Sequence, residues 1–285
     1  MTAAMIDLDR LIEQANELAP LPASTVRLAE LVGRPECDLN DVVELITFDQ
    51  ALTARLLRAA NSAASGSAIN IGTMQEAVTR MGTAQVFALA MASGARPFLQ
   101  SRVPAYGLGE GALWRHSVAA AVAAEIAPAF CRAVVPPETF TAALLHDVGK
   151  LVMGRFLDPE ILGLIQRARE VDHLNQLEAE SLLLNVHHGE LGGLIAQHWK
   201  LPPSVVLGIT YHHNPDQGQH IICDFTYLSN QVAKHIEAGL DGRRFDFAIS
   251  SEIAERIGLR PETLNALSAT AVVRYTQVCR RYNAV

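Results

Sequence analysis

This 285-residue chain has no basic excess: 23 Lys and Arg stand against 30 Asp and Glu, a net charge of −7 at pH 7. A bulk attraction to nucleic acid or to anionic lipid is therefore not expected. Cysteine is scarce. Cys37, Cys131, Cys223 and Cys279 lie far apart and none belongs to a Cys-x-x-Cys pair. That excludes a disulfide framework and a zinc ribbon, and points to reduced core thiols of an intracellular protein. The first ten residues, Met1 to Arg10, lack the basic and apolar regions of a signal peptide. The most apolar stretches, Ala84 to Ala95 and Val118 to Phe130, are too short to span a bilayer or are broken by Glu125 and Pro128. No fixed-period repeat is present, so a solenoid of identical units is not supported. The expectation is a soluble, cytoplasmic protein with no membrane partner.

Hydrophobic residues make up 49% of the chain and charged residues 19%, a globular composition with enough length for one large domain or two smaller ones. Helix formers dominate, and few runs are β-branched with period two. Asp38 is placed to cap a helix carrying Val42, Val43, Leu45 and Ile46, with Asp41 in its first turn. Thr73 to Glu76 has the spacing of a capping box, Gly82 stops that helix, and Pro261 suits the first turn of a last helix through Val273. The fold class expected is all-α. A segment with one Pro and two Gly, Ser101 to Gly109, marks a boundary, and all ten histidines fall between His116 and His235. The organisation expected is a histidine-free helical subdomain over 1–108, followed by a histidine-rich helical bundle over 109–285.

The second half carries the chemistry. His146 ends a nearly apolar run, Thr139 to Leu145, and its i−3 and i−4 neighbours are Ala143 and Ala142, so its helix face points inward. His116 precedes Ala119, Ala120, Ala123 and Ala124, small residues that let a neighbouring helix come close. Gly192 and Gly193, after His188, suggest the same, because each costs about 1 kcal/mol inside a helix and close packing is the motive. Asp224 lies among Ile221, Phe225 and Leu228, where a carboxylate must be paired or bound to a cation. Imidazoles and carboxylates from separate helices that meet in a bundle core make a divalent-metal site. Lys150 either places positive charge near a phosphate or satisfies a helix end. The competing reading is that each histidine is an ordinary hydrogen-bonded core residue. His187 and His213 can be exposed partners of their neighbours, and His173, His198, His220 and His235 are read as structural or surface residues.

Leu144-Leu145-His146-Asp147-Val148-Gly149-Lys150 resembles the His-Asp signature of the HD metal-dependent phosphohydrolase superfamily. The whole set resembles its HDOD branch, the HD-related output domains of bacterial signalling. The first half contributes Leu18-Ala19-Pro20-Leu21-Pro22, Asp49 to Thr53, Leu56 to Ser62 and Glu76 to Gly82. The second half adds Trp114 to Ser117, His188 to Gly192, Trp199 to Pro202 and Tyr211 to Pro215. The resemblance covers roughly residues 15 to 240 and, as an ordered set, is fairly specific. It implies an all-α fold, an N-terminal helical subdomain ahead of an HD-like bundle, and a role in signal-transduction output. By similarity, His116, His146, Asp147, His188, His212, His213 and Asp224 match ligand positions of catalytic HD and HD-GYP relatives, and Lys150 matches the signature lysine. The implied cofactor is a divalent metal (Fe, Mn or Mg), mono- or binuclear. His116, His146, Asp147 and Asp224 would hold a first ion, and His188, His212 and His213 a second ion or a phosphate.

The chain also departs from the cyclic-dinucleotide phosphodiesterases. No Gly-Tyr-Pro follows His213, and the segment to Asp224 leaves no room for a substrate loop. Ala112 stands where some relatives carry a glutamate ligand. The function expected is a regulatory module acting through a signalling protein partner, with a retained metal site. The alternative is a metal-dependent phosphohydrolase acting on a nucleotide or other phosphoester. A third reading, a nucleic-acid accessory using Arg55, Arg58, Arg80 and Arg96, is explained as well by a solvated face. Residues 240 to 285 look like two terminal helices that pack on the second half or mediate assembly.

Overall fold

A computed structural model describes residues 13, 21–32, 37–47, 49–61, 71–157, 159–242 and 247–281. Leu18-Ala19-Pro20 and Ser62 of the matching stretches lie outside them. Among the described residues the chain is helical, with one isolated β-bridge between Val103 and Leu108 and no strand. No described helix is long and apolar enough to cross a membrane. No disulfide joins the described cysteines, and Cys223 and Cys279 are buried.

The chain divides into two compact units. The first gathers Pro20–Pro97 with Trp199–Pro202. Its helices are α1 (Ala23–Val32), α2 (Leu39–Thr47), α3 (Gln50–Ala60), α4 (Met74–Met81) and most of α5 (Thr83–Leu99). The caps are those the sequence suggests. Asp38 accepts from the Asn40 N–H at 2.8 Å, Thr73 and Glu76 form a reciprocal capping box, and Gly82, at φ +76°, ends α4 where a side chain would be strained. Asn61 uses its amide on both backbone groups of Ile71, accepting from the N–H at 2.7 Å and donating to the carbonyl at 2.8 Å. Leu28, Val42, Ile46, Leu56, Ala77 and Val78 form the buried interior where α2 meets α1 and α4.

The second unit includes Phe98–His198 and Pro203–Val285. Segment 98–108 groups here because Val103 pairs with Leu108 and packs against Gly154. The helices are α6 (Ala112–Ile126), α7 (Thr139–Leu145), α8 (Gly149–Phe156), α9 (Pro159–Glu170), α10 (Gln176–Leu184), α11 (His188–His198), α12 (Pro203–Thr210), α13 (Pro215–Gly218), α14 (Ile221–Leu240), α15 (Ser251–Ile257) and α16 (Leu264–Arg281). A 3₁₀ turn at Pro261–Thr263 leads into α16. The alanine-rich α6 is central, covered by α7, α14 and α16. The terminal helix thus packs on the bundle, fastened by Arg274 to Glu125 at 2.6 Å.

Glycines sit where helices touch. A Cβ on Gly149 would lie 1.9 Å from the His188 carbonyl oxygen, and one on Gly193 would lie 2.1 Å from Thr210 Oγ1. A Cβ on Gly208 would meet Ala142 at 2.8 Å. These contacts bring α7, α8, α11 and α12 to backbone distance, which places their histidines around one point.

Candidate metal centre

His146, Asp147 and Val148 form the turn between α7 and α8, and Asp147 is 2% exposed. Around its carboxylate stand side chains from α6, α11 and the end of α12. Oδ2 lies 3.5 Å from His116 Nε2 and 3.5 Å from His146 Nε2. Oδ1 lies 3.3 Å from His188 Nε2 and 3.7 Å from His212 Nε2. His188 and His213 face each other, Nε2 to Nε2, at 2.9 Å, and His116 and His146 do so at 3.1 Å. Two groups therefore share Asp147: His116 with His146, and His188 with His212 and His213.

The far side of each ring fixes its proton. His146 Nδ1 faces the Ala143 carbonyl at 2.7 Å and His212 Nδ1 the Ile209 carbonyl at 2.7 Å. His188 Nδ1 meets Glu180 Oε2 at 2.7 Å, and His116 Nδ1 meets Glu237 Oε2 at 3.0 Å. Each of those oxygens only accepts, so each Nδ1 carries the hydrogen and each Nε2 turns to Asp147. Outer partners of this kind orient histidine ligands in metal sites. Two buried atoms, Asp147 Oδ1 and His212 Nε2, have no hydrogen-bond partner. Buried polar atoms are rarely left so, and a cation would satisfy both. The residues present therefore fit a divalent metal.

The electrostatics keep most of these groups in the ligating form. Burial pushes His146 down to about 3 against the pull of Asp147, and burial with the neighbouring imidazoles pushes His212 and His213 down. Burial opposes ionisation of Asp147, but Lys150, His146 and His188 outweigh it and hold the carboxyl well below its usual range. His188 is the exception. Burial lowers it, yet the charge of Glu180, the hydrogen bond to Glu180 and the Asp147 carboxylate 3.3 Å away raise it overall.

A family profile for the HDOD domain matches residues 18–215. The chain belongs to the HDOD family. A presumed phosphohydrolase from Shewanella amazonensis SB2B has a similar structure, with TM-score 0.66 and 25% identity over 93% of this chain and 97% of that one. A presumed signal-transduction protein from Marinobacter aquaeolei VT8 aligns with TM-score 0.74 at 22% identity, over 97% of this chain and 64% of the other. An HDOD protein of unknown function from Geobacter sulfurreducens aligns with TM-score 0.62 at 22% identity, over 93% and 90%. An uncharacterised Treponema pallidum (strain Nichols) protein is 27% identical over 203 residues, which is 71% of this chain but 39% of that protein.

Within this HDOD chain, six of the seven matched ligand positions converge, and Asp224 does not join them. Its carboxylate takes Arg256, with Nη2 at 2.6 Å and Nε at 3.0 Å, and the same guanidinium reaches Asp216. Pairing, the other outcome open to a buried carboxylate, is what Asp224 adopts. Six residues on, about 240° around α14, Asn230 presents Oδ1 to His116 Nε2 at 3.2 Å. Asn230, Lys234 and Glu237 recur at i, i+4 and i+7, a face of α14 that the sequence reading missed although its spacing was visible. Glu180 and Tyr106 were also missed. The Tyr106 hydroxyl donates to Glu180 Oε1 at 2.8 Å, and Lys150 Nζ sits 5.6 Å from the Tyr106 ring centroid and bonds Asp147 Oδ2 at 2.5 Å.

The other histidines have local duties. His187 caps α11, its Nδ1 accepting from the Gly189 N–H at 3.1 Å while Glu190 accepts from its backbone N–H at 3.0 Å. His220 caps α14 through Ile222, and His235 stacks on Phe247 at 4.9 Å. His173 and His198 are exposed.

Proposed function

We propose that this HDOD chain is a regulatory module that acts through a protein partner and is built around a divalent-metal centre at Asp147. One observation carries the reading: four imidazoles, each anchored at Nδ1, direct Nε2 toward the two oxygens of one buried carboxylate. The absent Gly-Tyr-Pro and the neutral amide of Asn230 beside His116 favour a signalling role over turnover. The Marinobacter protein of similar fold is described as acting in signal transduction, in line with this assignment.

A second reading, hydrolysis of a nucleotide or other phosphoester, is favoured by Lys150 and Lys234. Both act electrostatically on Asp147 and His213, and both are only partly buried. A bound divalent ion would supply Lewis acidity there. Lys150 would neutralise charge and Asp147 would hold the imidazoles in register.

Elemental analysis of protein purified without added metal, followed by assays on bis-p-nitrophenyl phosphate and nucleotides, tests the proposal. Bound metal without turnover is the expected result. Robust turnover abolished by His146→Ala with Asp147→Ala would overturn it in favour of the hydrolase.

A further inference from the structure

We infer that the centre takes one divalent ion rather than two. The ion binds in the half formed by His188, His212, His213 and Asp147 Oδ1, and it is an imidazole-preferring transition metal. The inference rests on the metal-centre reading and adds to it the number, the place and the class of ion.

Asp147 offers its two halves unequally. Oδ2 is already engaged by the Lys150 ammonium at 2.5 Å, which a second cation on that oxygen would have to displace. Asn230, a neutral amide, is the group α14 presents to His116 Nε2 on that side, so no second carboxylate arrives with it. The other half holds both orphaned atoms, Oδ1 and His212 Nε2. An ion placed there satisfies two buried groups at once and displaces no ammonium; the one contact it replaces is that between His188 Nε2 and His213 Nε2.

The donor spacing agrees. In a tetrahedron with metal–nitrogen bonds of 2.0–2.1 Å, neighbouring ligands stand about 3.3 Å apart. Here the separations are 2.9 Å for His188 to His213, 3.3 Å for His188 to Asp147 and 3.7 Å for His212 to Asp147. The four donor atoms all lie within 4.8 Å of one another.

Charge points the same way. Asp147, Glu180 and Glu237 face the cluster with three negative charges, and Lys150 and Lys234 bring two positive ones. One divalent ion turns that single negative charge into a single positive one; a second would leave three positive charges in a largely buried volume. Three imidazoles and one carboxylate suit zinc, iron(II) or cobalt, whereas magnesium demands oxygen ligands and retained waters. Four protein ligands also close the coordination, as in structural rather than catalytic sites.

The test is a metal titration of the full chain after chelator treatment. The metals are Zn²⁺, Co²⁺, Mn²⁺ and Mg²⁺, with stoichiometry read by elemental analysis after desalting and geometry read from the visible spectrum of the Co²⁺ form. Expected are one retained equivalent of Zn²⁺ or Co²⁺, no retained Mg²⁺, and the intense absorption of tetrahedral cobalt. His212→Ala should weaken binding by at least about 100-fold, beyond the loss seen when outer partners are removed, while His116→Ala keeps one equivalent. His213→Gln, at the half-buried edge, replaces His212→Ala if that variant does not fold. Two equivalents, a weak octahedral cobalt spectrum, or loss of the ion in His116→Ala alone would overturn the inference and leave the metal centre standing. No retained ion of any kind in a folded protein would overturn the metal centre itself.

Discussion

Glu180 Oε2 accepts two hydrogen bonds from His188, one from its backbone N–H at 2.8 Å and one from its Nδ1–H at 2.7 Å. The other oxygen accepts from Tyr106 at 2.8 Å and from Gln176 at 2.9 Å. A fully buried carboxylate is thus met by four donors, which is what keeps it ionised and keeps the imidazole facing Asp147.

Removing that charge should loosen the metal. Glu180→Gln is expected to weaken zinc affinity by about 10- to 100-fold, the range found for outer partners of ligating histidines. Tyr106→Phe, which removes one donor and leaves the carboxylate, should cost less. Competition titration with a chromophoric chelator reads both, and unchanged affinity in Glu180→Gln would count against the orienting role.

The same pair sets a pH window for the metal-free protein. Burial raises the Glu180 carboxyl, but His188 and its hydrogen bonds outweigh that and bring it from 4.5 down to about 2. A depressed carboxyl stabilises the fold above its unfolded value, and the gain is lost as pH falls through the folded value. His188 is raised from 6.5, so its share is full below 6.5 and is lost as pH rises through the folded value. The pair therefore contributes most between about pH 4.5 and 6.5. Urea denaturation across pH should show that plateau in the wild type and a flatter acid limb in Glu180→Gln.

Arg256→Ala should destabilise the second unit by about 1–3 kcal/mol, because it strands the buried Asp224 carboxylate. Asp224→Asn should cost less, since it removes the charge that needs a partner. Both variants should keep the metal content of the wild type, because Asp224 stands outside the two histidine groups. Loss of metal from Asp224→Asn alone would return that residue to the ligand set.

Gly149→Ala should be far more damaging than an ordinary helix substitution. Its new Cβ would collide with the backbone of His188, at 1.9 Å from the carbonyl oxygen and 2.8 Å from Gly192 N, with no flexible side chain to yield. Overpacking of this kind costs about 1–3 kcal/mol or more, and here it also drives α11 away from Asp147. A lower melting temperature accompanied by loss of metal is expected. A glycine without such a neighbour, Gly163, is the control, and Gly163→Ala should be neutral or stabilising.

Much of the fold was legible from residues near one another in the chain. Helix periodicity, Asp38, the Thr73–Glu76 box and Gly82 gave the elements and their ends, because capping and amphipathic patterning are local physics. The ordered motifs gave the family and six of the seven matched positions that meet at Asp147. The sequence also stated that Asp224 needed a partner without saying which one.

That choice belongs to tertiary structure. Arg256 is 32 residues beyond Asp224 and reaches it only because α15 packs on α14. Glu180 and Tyr106 carry no signature, and the visible spacing of Asn230 did not say what its face meets, since their meaning comes from the side chain each touches across gaps of 8 to 114 residues. The chain by itself determined which side chains are able to ligate. The packing of glycine- and alanine-faced helices decided which nitrogens meet, which oxygen Lys150 already occupies and which is left bare, because close approach of backbones, not spacing along the chain, sets distances inside a bundle.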